Sequence, residues 1–256
     1  MDADLDLALS LADVADALTT GRFRAADLVV ETKPDLTPVT EADRAVEREL
    51  RTRIAAARPG DAVVGEEYGS EGDGARRWIV DPIDGTKNFV RGVPVWATLV
   101  ALEEHGVLNL GVVSAPALGR RWWAARGEGA FANGERIGVS RIPELGDAHL
   151  AYDDVPGFEA RGLGERFLAL ARRCWRSRGF GDFWSHVLVA EGAVDVAVEP
   201  EVSVWDLAAL QVIVEEAGGR FTDLSGVPRP DGGSAVSTNG LLHDAVLAAL
   251  GVPLHP

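Results

Sequence analysis

The 256-residue sequence predicts an α/β fold of the mixed α+β kind, with helices layered on sheets. Three observations predict it: helical periodicity in roughly the first 57 residues, short apolar strands from about residue 62 to about residue 125, and alternating helices and strands beyond about residue 150. Neither an internal repeat nor a low-complexity linker separates these parts. We therefore expect a single unit over residues 1–256, with approximate halves at 1–145 and 146–256.

The first helix is predicted from Asp4 to Leu18. Apolar residues recur there at helical spacing, and the predicted stripe comprises Leu11, Val14, Ala15 and Leu18. A polar loop broken by proline, KPDLTPVT, then runs from Lys33 to Thr40. This loop separates the first helix from the second.

The second helix begins after Thr40, a candidate N-cap with Asp43 in the capping-box position. It ends before Pro59-Gly60. Its apolar face is predicted to contain Val46, Leu50, Ile54 and Ala57. At 100° per residue Asp43 shares that face, and a core-facing carboxylate needs a partner or a function. Capping and a functional role are therefore both open for Asp43.

The middle of the chain is predicted to form a series of strands. From Ala62 onward the apolar segments are AVVG, RWIVD, VWATLVALEE, VLNLGVVSAP and RRWWAA. Turns are expected at His105-Gly106 and Asn133-Gly134, because glycine readily adopts the positive φ that tight hairpins need. The two tryptophans of RRWWAA are expected to pack on opposite faces of one strand.

Beyond about residue 150, helices and strands alternate. Helices are predicted at 163–174, 183–191, 204–217 and 240–250. Strands are predicted near 176–180 and at 193–198, and two short strands precede the last helix.

The formal net charge of −15 argues against a nucleic-acid partner, since nucleic-acid phosphates are bound by lysine and arginine. No apolar run reaches the roughly 18 residues that cross a bilayer, so we expect no membrane partner. The first residues lack the order of a signal peptide, and the single cysteine, Cys174, cannot form an internal disulfide. We therefore expect a soluble, cytoplasmic protein.

The strongest chemical feature is the string WIVDPIDGTKNF at residues 78–89. The strand is expected to end at Asp81 and a helix to begin near Asp84, so that Gly85 and Thr86 offer free backbone N–H groups to an anion. Two carboxylates beside a phosphate would repel it unless cations lay between them. Hard oxygen ligands of this kind suit Mg²⁺.

Two further carboxylates follow the same pattern. Glu66, in Gly65-Glu66-Glu67, comes directly after an apolar strand, and Asp206 opens an apolar helix. Each also has an ordinary alternative, which is a solvated loop for Glu66 and a dipole-favoured helix start for Asp206. Signatures of other catalytic classes are missing: the histidines lack zinc-type spacing, and neither G-x-x-x-x-G-K-[ST] nor G-x-S-x-G occurs.

The string DPIDGTKNF, preceded by GEE and followed far downstream by WD, resembles the inositol monophosphatase superfamily. The resemblance covers nearly the whole chain, including VTEAD, the stretch GEGAFANGERIGVS from Gly127 to Ser140, and EAGGRFTDLSG. Together these motifs are highly specific. The resemblance implies a layered α/β/α/β/α sandwich, a small phosphate monoester as substrate, two or three Mg²⁺ ions, and a homodimer.

The resemblance also implies a set of metal ligands. They are Glu66, Asp81, Asp84, Asp206 and the carbonyl of Ile83. The chain between Glu66 and Asp81 is shorter than in many family members, which leaves Glu66 and Glu67 both open as the ligand. Lys33 lies in what resembles the family's mobile loop, which helps to complete the metal site.

Further roles are implied for residues near the phosphate. Thr86, paired with Asp43, would orient the attacking water and help to deprotonate it. The amides of Gly85 and Thr86 would hold the phosphate, and Lys87 is included among the substrate-binding residues. Lys33 and Lys87 are the only lysines among 25 basic residues, and a lysine is a compact charge that arginine does not replace at a phosphate.

Within the family, Lys87 and the stretch RGFGDFWSH most resemble bacterial histidinol-phosphate phosphatases of the inositol monophosphatase type. Glu199, seven residues before Asp206, matches the position that contacts the organic part of the substrate, and Asp182 falls in the corresponding pocket turn. Asp206 is also included among the substrate-binding residues. Two acids there suit the amine and imidazole of histidinol phosphate better than an uncharged polyol. The open alternative for Asp182 is a helix cap before Phe183.

The predicted reaction is therefore hydrolysis of histidinol phosphate, late in histidine biosynthesis. A broad inositol or sugar monophosphatase is the enzyme alternative, and a 3′-phosphonucleotide phosphatase is disfavoured because no basic pocket for a second phosphate is evident. The non-enzyme alternative is a regulatory protein that binds a metal or a phosphometabolite. Binding alone would not need the Asp43–Thr86 pair.

Overall fold

A computed structural model describes residues 3–34 and 36–251. Its helices are α1 (Ala3–Arg22), α2 (Glu41–Ala57), α3 (Thr86–Arg91), α4 (Val155–Ala160), α5 (Gly164–Arg173), α6 (Asp182–Ala190), α7 (Val204–Glu216) and α8 (His243–Leu250). No helix in this part of the chain is long and apolar enough to cross a membrane.

The strands before residue 137 form a small ribbon and a large sheet. The ribbon pairs β1 (Val30–Thr32) with β2 (Pro38–Thr40). The other strands of this part are β3 (Ala62–Gly65), β4 (Gly69–Glu71), β5 (Arg76–Asp84), β6 (Ala97–Glu104), β7 (Val107–Ala115), β8 (Arg120–Ala125), β9 (Gly129–Ala132) and β10 (Glu135–Arg136). They lie in the order β10-β9-β8-β7-β6-β5-β3-β4, and β5 is parallel to β3 and antiparallel to β6.

A second sheet is formed by the strands that follow residue 148. They are β11 (His149–Tyr152), β12 (Arg176–Gly179), β13 (Val196–Glu199), β14 (Arg220–Thr222) and β15 (Ala235–Thr238). Their order is β12-β11-β13-β15-β14, with β11, β12 and β13 running parallel.

The two sheets alternate with helices in five layers. On β5, Trp78 and Val80 pack against α1 and α2, whereas Ile79 between them packs against α6 and α7 on the opposite face. This alternation follows from the two-residue period of a strand. The second sheet covers the other side of α6 and α7 and buries its outer face against α4, α5 and α8. The architecture is therefore the predicted layered α/β/α/β/α sandwich.

Helix α2 begins as its sequence predicts. Thr40 caps it through a full capping box with Asp43, and Val46, Leu50 and Ile54 are buried. Asp43 is also fully buried, so the predicted core-facing carboxylate is confirmed. The stripe predictions were wrong at helix ends: Ala57 is exposed, and on α1 Leu18 is 37% exposed. Leu18 lines a groove between α1 and α2 instead, and Thr19 takes the buried position beside it.

The predicted hairpin turns are confirmed. His105, Gly106, Asn133 and Gly134 all have positive φ, between 48° and 85°. The predicted helices of the second half are also present, although the last begins at residue 243 rather than 240. The predicted strand 193–198 begins at residue 196, and β11 and α4 were not predicted. The division into halves at residue 145 stays a prediction. Helix α7, from the second half, packs its apolar side chains against the large sheet of the first half.

Candidate active site

The acidic motif at residues 78–89 lies where β5 meets α3. The strand continues to Asp84 through a register irregularity after Asp81, so the prediction that it ends at Asp81 was wrong by three residues. Asp81 Oδ1 accepts a hydrogen bond from the Ile83 amide at 2.9 Å, which stabilises the irregular segment. Gly85 then turns the chain with φ of +82°, and α3 begins at Thr86. The positive φ explains the glycine at this position.

Three carboxylates from two elements converge beside this turn. One oxygen each from Asp81, Asp84 and Asp206 lie within 4.8 Å of one another. Asp206 belongs to the first turn of α7, where its Oδ2 accepts the Ser203 amide at 2.6 Å as part of a capping box. Asp206 therefore also occupies the helix-start position that was its ordinary alternative. Asp84 Oδ2 accepts the Phe183 amide at 2.6 Å, which ties the motif to the start of α6.

These carboxylates are costly to ionise without a counter-ion. Burial, followed by repulsion from neighbouring acids, raises the pKa of Asp81 and of Asp84 well above the usual value. Burial and repulsion from Glu66 raise the pKa of Asp206 to about 7, against the Ser203 hydrogen bond that lowers it. Converging hard oxygen donors whose charges repel fit a divalent cation. The residues present therefore match such a metal in chemistry and spacing.

The turn after β3 brings a fourth and a fifth carboxylate to this region. Lys33 Nζ donates to Glu66 Oε1 at 2.7 Å and to Glu67 Oε1 at 2.6 Å. Burial alone would lower the pKa of Lys33, but the two carboxylates outweigh it and raise that pKa. Burial raises the pKa of both acids, with Lys33 opposing the rise. The solvated-loop alternative for Glu66 is therefore wrong, because its side chain is only 21% exposed.

Asp43 and Thr86 form the predicted pair. Thr86 Oγ1 lies 3.1 Å from Asp43 Oδ1 and 2.9 Å from the Ile83 carbonyl oxygen, and its single proton can go to either. Asp43 Oδ2 meanwhile accepts the Thr40 amide at 2.8 Å. One carboxylate oxygen therefore caps α2 and the other faces Thr86, so the two alternatives for Asp43 coexist. Burial raises the pKa of Asp43, which makes it a stronger proton acceptor.

A cavity of about 250 Å³ opens over these groups. Its lining comprises Thr37, Pro38, Glu66, Gly85, Thr86, Lys87, Asp182, Ser203, Trp205 and Asp206. The lining includes Glu66 but not Glu67. A larger groove of about 900 Å³ lies between α1 and α2, but none of the clustered acids lines it. We therefore place the site at the smaller cavity.

Asp182 reaches the cavity from the start of α6. Its Oδ2 accepts a hydrogen bond from Asn88 Nδ2 at 3.0 Å. No side-chain cap bond is made at this helix start, where Gly181 is the N-cap, so the capping alternative for Asp182 is wrong. Asp182 has φ of +48°, a left-handed conformation that is uncommon for a non-glycine residue. Burial and repulsion from Asp153 and Glu199 raise its pKa to about 7.

Glu199 lies at the end of β13, almost fully buried. Its Oε2 is 3.2 Å from His186 Nε2, an ion-pair distance without hydrogen-bond alignment. The other ring nitrogen, His186 Nδ1, is 2.6 Å from Ser237 Oγ. Glu199 Oε1 has no hydrogen-bond partner among the described residues. An unpaired buried carboxylate oxygen is costly unless a ligand supplies a donor.

Sequence reasoning missed two acids near the site. Asp153 follows β11, and burial with repulsion from Glu199 raises its pKa to about 6. Its signal was the apolar run HLAY followed by two aspartates, the same strand-then-acid pattern that identified Asp81. Glu47 is fully buried on α2, one turn after Asp43. The same helical stepping that selected Asp43 also places Glu47 on that face.

Comparison with known proteins supports the interpretation of the motifs. A sequence model described as the inositol monophosphatase family matches residues 2–251. The chain belongs to the inositol monophosphatase family. This family is generally Mg²⁺-dependent, in agreement with the acidic cluster of Asp81, Asp84 and Asp206.

Individual family members resemble the chain over nearly its full length. It is 62% identical to the Mycobacterium tuberculosis protein named histidinol-phosphatase, covering 96% of this chain and 97% of that protein. It is 55% identical to the Streptomyces coelicolor protein of the same name, covering 96% of each. The solved Thermotoga maritima IMPase superposes with a TM-score of 0.88 at 35% identity, covering 97% of both chains.

Proposed function

We propose that the chain is a Mg²⁺-dependent phosphomonoesterase that hydrolyses histidinol phosphate to histidinol and inorganic phosphate. The observation that carries the reaction class is the cluster of three carboxylates beside the Asp43–Thr86 pair, of which Asp81 and Asp84 are buried. The substrate is proposed from the name of the relatives at 62% and 55% identity. Asp182 on the cavity wall is consistent with a cationic leaving group.

Glu66, Asp81, Asp84, Asp206 and the Ile83 carbonyl would hold two or three Mg²⁺ ions. The bound cations would lower the pKa of a water molecule and neutralise the negative charge of the phosphate. Glu66 is preferred to Glu67 because Glu66 lines the cavity with Thr86 and Asp206. Lys33 forms ion pairs with Glu66 and Glu67. We expect the Lys33 side chain to move away from Glu66 when a cation binds to that carboxylate.

Thr86 and Asp43 would prepare the attacking water. With its proton shared toward Asp43 Oδ1, the Thr86 hydroxyl oxygen can accept a hydrogen bond from water and orient it. The Thr40 amide donates a hydrogen bond to the other oxygen of Asp43, Oδ2, and this bond keeps the Asp43 carboxylate facing Thr86. Gly85 and Thr86 offer first-turn amides, which have no partner within the helix, to the phosphate oxygens. Lys87, on the cavity wall, adds a positive charge there.

The leaving group would meet Asp182, Glu199 and Asp153. Repulsion between these three acids contributes to the raised pKa values of Asp153 and Asp182. A leaving group that carries an ammonium and an imidazole would relieve this repulsion and give Glu199 Oε1 the donor that it lacks. An uncharged polyol would offer donors but no positive charge. A homodimer and a cytoplasmic location stay predictions that accompany this proposal.

The first test measures phosphate release from histidinol phosphate with and without Mg²⁺. Chelation should abolish turnover and added Mg²⁺ should restore it, because the clustered carboxylates would otherwise repel a dianionic substrate. Full turnover in metal-free protein would contradict the mechanism. Comparable kcat/KM values for histidinol phosphate and inositol-1-phosphate would favour a broad monophosphatase, and binding without turnover would favour a regulatory protein.

Replacing Glu199 with glutamine tests the substrate. Glu199→Gln should lower kcat/KM for histidinol phosphate by about 10- to 100-fold, since a charge-assisted hydrogen bond contributes roughly 1.5–3 kcal/mol. Hydrolysis of 4-nitrophenyl phosphate should change little, because the metal ligands and Thr86 remain. Glu201→Gln, an exposed neighbour, is the matched control and should leave both rates unchanged. Equal losses on both substrates would instead place Glu199 in the catalytic machinery.

A further inference from the structure

Helix α2 carries two buried carboxylates on one face, Asp43 and Glu47. They are four residues apart and both are fully buried. Asp43 faces Thr86, as described above. Glu47 lies one helical turn further along, on the side of the strand β3 and the turn that follows it.

Glu47 holds the backbone of the turn that carries Glu66 and Glu67. Its Oε2 accepts the Glu67 amide at 2.7 Å, and its Oε1 accepts the Tyr68 amide at 3.2 Å. Arg51 donates to Glu47 Oε1 at 2.8 Å and to the Gly69 carbonyl at the far side of the same turn. The turn is therefore fixed at three successive residues by two side chains of one helix.

The approach of Glu47 to this turn is close enough to restrict the sequence. A Cβ atom added at Gly65 would lie 2.2 Å from Glu47 Oε1 and 2.4 Å from its Cδ. Gly65 has no positive φ that would require glycine. The glycine of the GEE motif is therefore explained by the carboxylate beneath it, and the two residues form a tightly packed contact.

We propose that Glu47 is a positioning residue that sets Glu66 for cation binding, a role that rests on the proposed function. The Glu66 side chain extends from the turn whose backbone Glu47 and Arg51 fix. The location of the Glu66 carboxylate therefore depends on Glu47 and Arg51. Asp43 and Glu47 lie on the same face of α2, one turn apart. The helix therefore fixes the position of the Glu66 turn relative to the Asp43–Thr86 pair. A shift of the turn would move Glu66 without moving Asp81, Asp84 or Asp206.

The test compares Glu47→Gln with Glu49→Gln in the full chain. Glu49 is the matched control, since it forms an exposed ion pair with Arg53 on the same helix at the same spacing as Glu47 and Arg51. Mg²⁺ binding to metal-free protein is measured by calorimetry, together with the Mg²⁺ dependence of kcat. Glu47→Gln should weaken Mg²⁺ binding about 10- to 100-fold, a typical cost of disturbing a residue behind a metal ligand. The value of kcat at saturating Mg²⁺ should fall far less, and the control should match wild type.

Gly65→Ala gives an independent route to the same displacement, because the added methyl group collides with the Glu47 carboxylate. Gly65→Ala should therefore also weaken Mg²⁺ binding. Glu47→Asp keeps the negative charge, so it should bind Mg²⁺ more tightly than Glu47→Gln does. A lowered melting temperature with an unchanged Mg²⁺ dissociation constant would mean that Glu47 is only structural, and it would overturn the inference alone. Wild-type protein that binds no Mg²⁺ would overturn both the inference and the proposed function.

Discussion

Replacing Asp84 with asparagine is expected to lower kcat by at least about a hundredfold while the protein stays folded. Loss of a residue behind a metal ligand already costs roughly 10- to 100-fold, and Asp84 would be a direct ligand. Asparagine is nearly isosteric and can still accept the Phe183 amide through its carbonyl oxygen. The measurement is kcat for histidinol phosphate at saturating Mg²⁺, alongside circular dichroism to check the fold.

The same substitution should stabilise the metal-free protein at alkaline pH. The folded-state pKa of Asp84 lies well above its usual value of 3.8, so the folded protein binds more protons than the unfolded chain above about pH 4. The stabilisation that the folded protein gains from protonated Asp84 is therefore fully present below the pKa of Asp84 in the unfolded chain. It is lost as pH rises through the raised pKa of Asp84 in the folded protein. In chelator, Asp84→Asn should melt at a higher temperature than wild type at pH 8, and the difference should shrink toward pH 4.

Asp147→Asn, at an exposed position, is the control for both measurements and should behave as wild type. Normal turnover in Asp84→Asn would mean that Asp84 only ties β5 to α6. A lower melting temperature in chelator at pH 8 would mean that its hydrogen bond to Phe183 outweighs the repulsion from neighbouring acids.

Replacing Asp43 with asparagine is expected to lower kcat by about 10²- to 10⁴-fold with a much smaller change in KM. Positioned proton transfer contributes this much to many enzymes, and a group that acts mainly in the transition state changes kcat rather than substrate affinity. Thr40 remains the N-cap, and asparagine can still accept the Thr40 amide through its carbonyl oxygen, so the start of α2 should survive the substitution. Steady-state kinetics at saturating Mg²⁺ give both constants.

Thr86 provides the matched comparison for Asp43. Thr86→Ala should lower kcat to a similar extent, whereas Thr86→Ser keeps the hydroxyl group and should retain most activity. The double variant Asp43→Asn/Thr86→Ala should be little worse than either single variant, since each removes the same step. Additive losses, or a raised KM with unchanged kcat, would contradict the assignment of the pair to water activation.

Local sequence patterns determined the parts of this protein that depend on short-range physics. Thr40 and Asp43 specify the start of α2 because a capping box needs only residues three apart. The turn at Asn133-Gly134 follows from the backbone preferences of two residues. Asp43 could be assigned to the core because a helical face is fixed by 100° per residue.

The tertiary structure alone decided which distant side chains meet. Nothing local indicates that Lys33 contacts both Glu66 and Glu67, or that Asp84 accepts the amide of Phe183 about a hundred residues later. Burial likewise depends on which layers cover a residue, so only the tertiary structure shows that Asp153 is enclosed and close enough to Glu199 to be repelled by it. The continuation of β5 past Asp81 was also hidden, because the added length is stabilised by pairing of Asp84 with β6 rather than by its own sequence. Contacts between elements arise from packing over long sequence separations, and residue spacing carries no information about them.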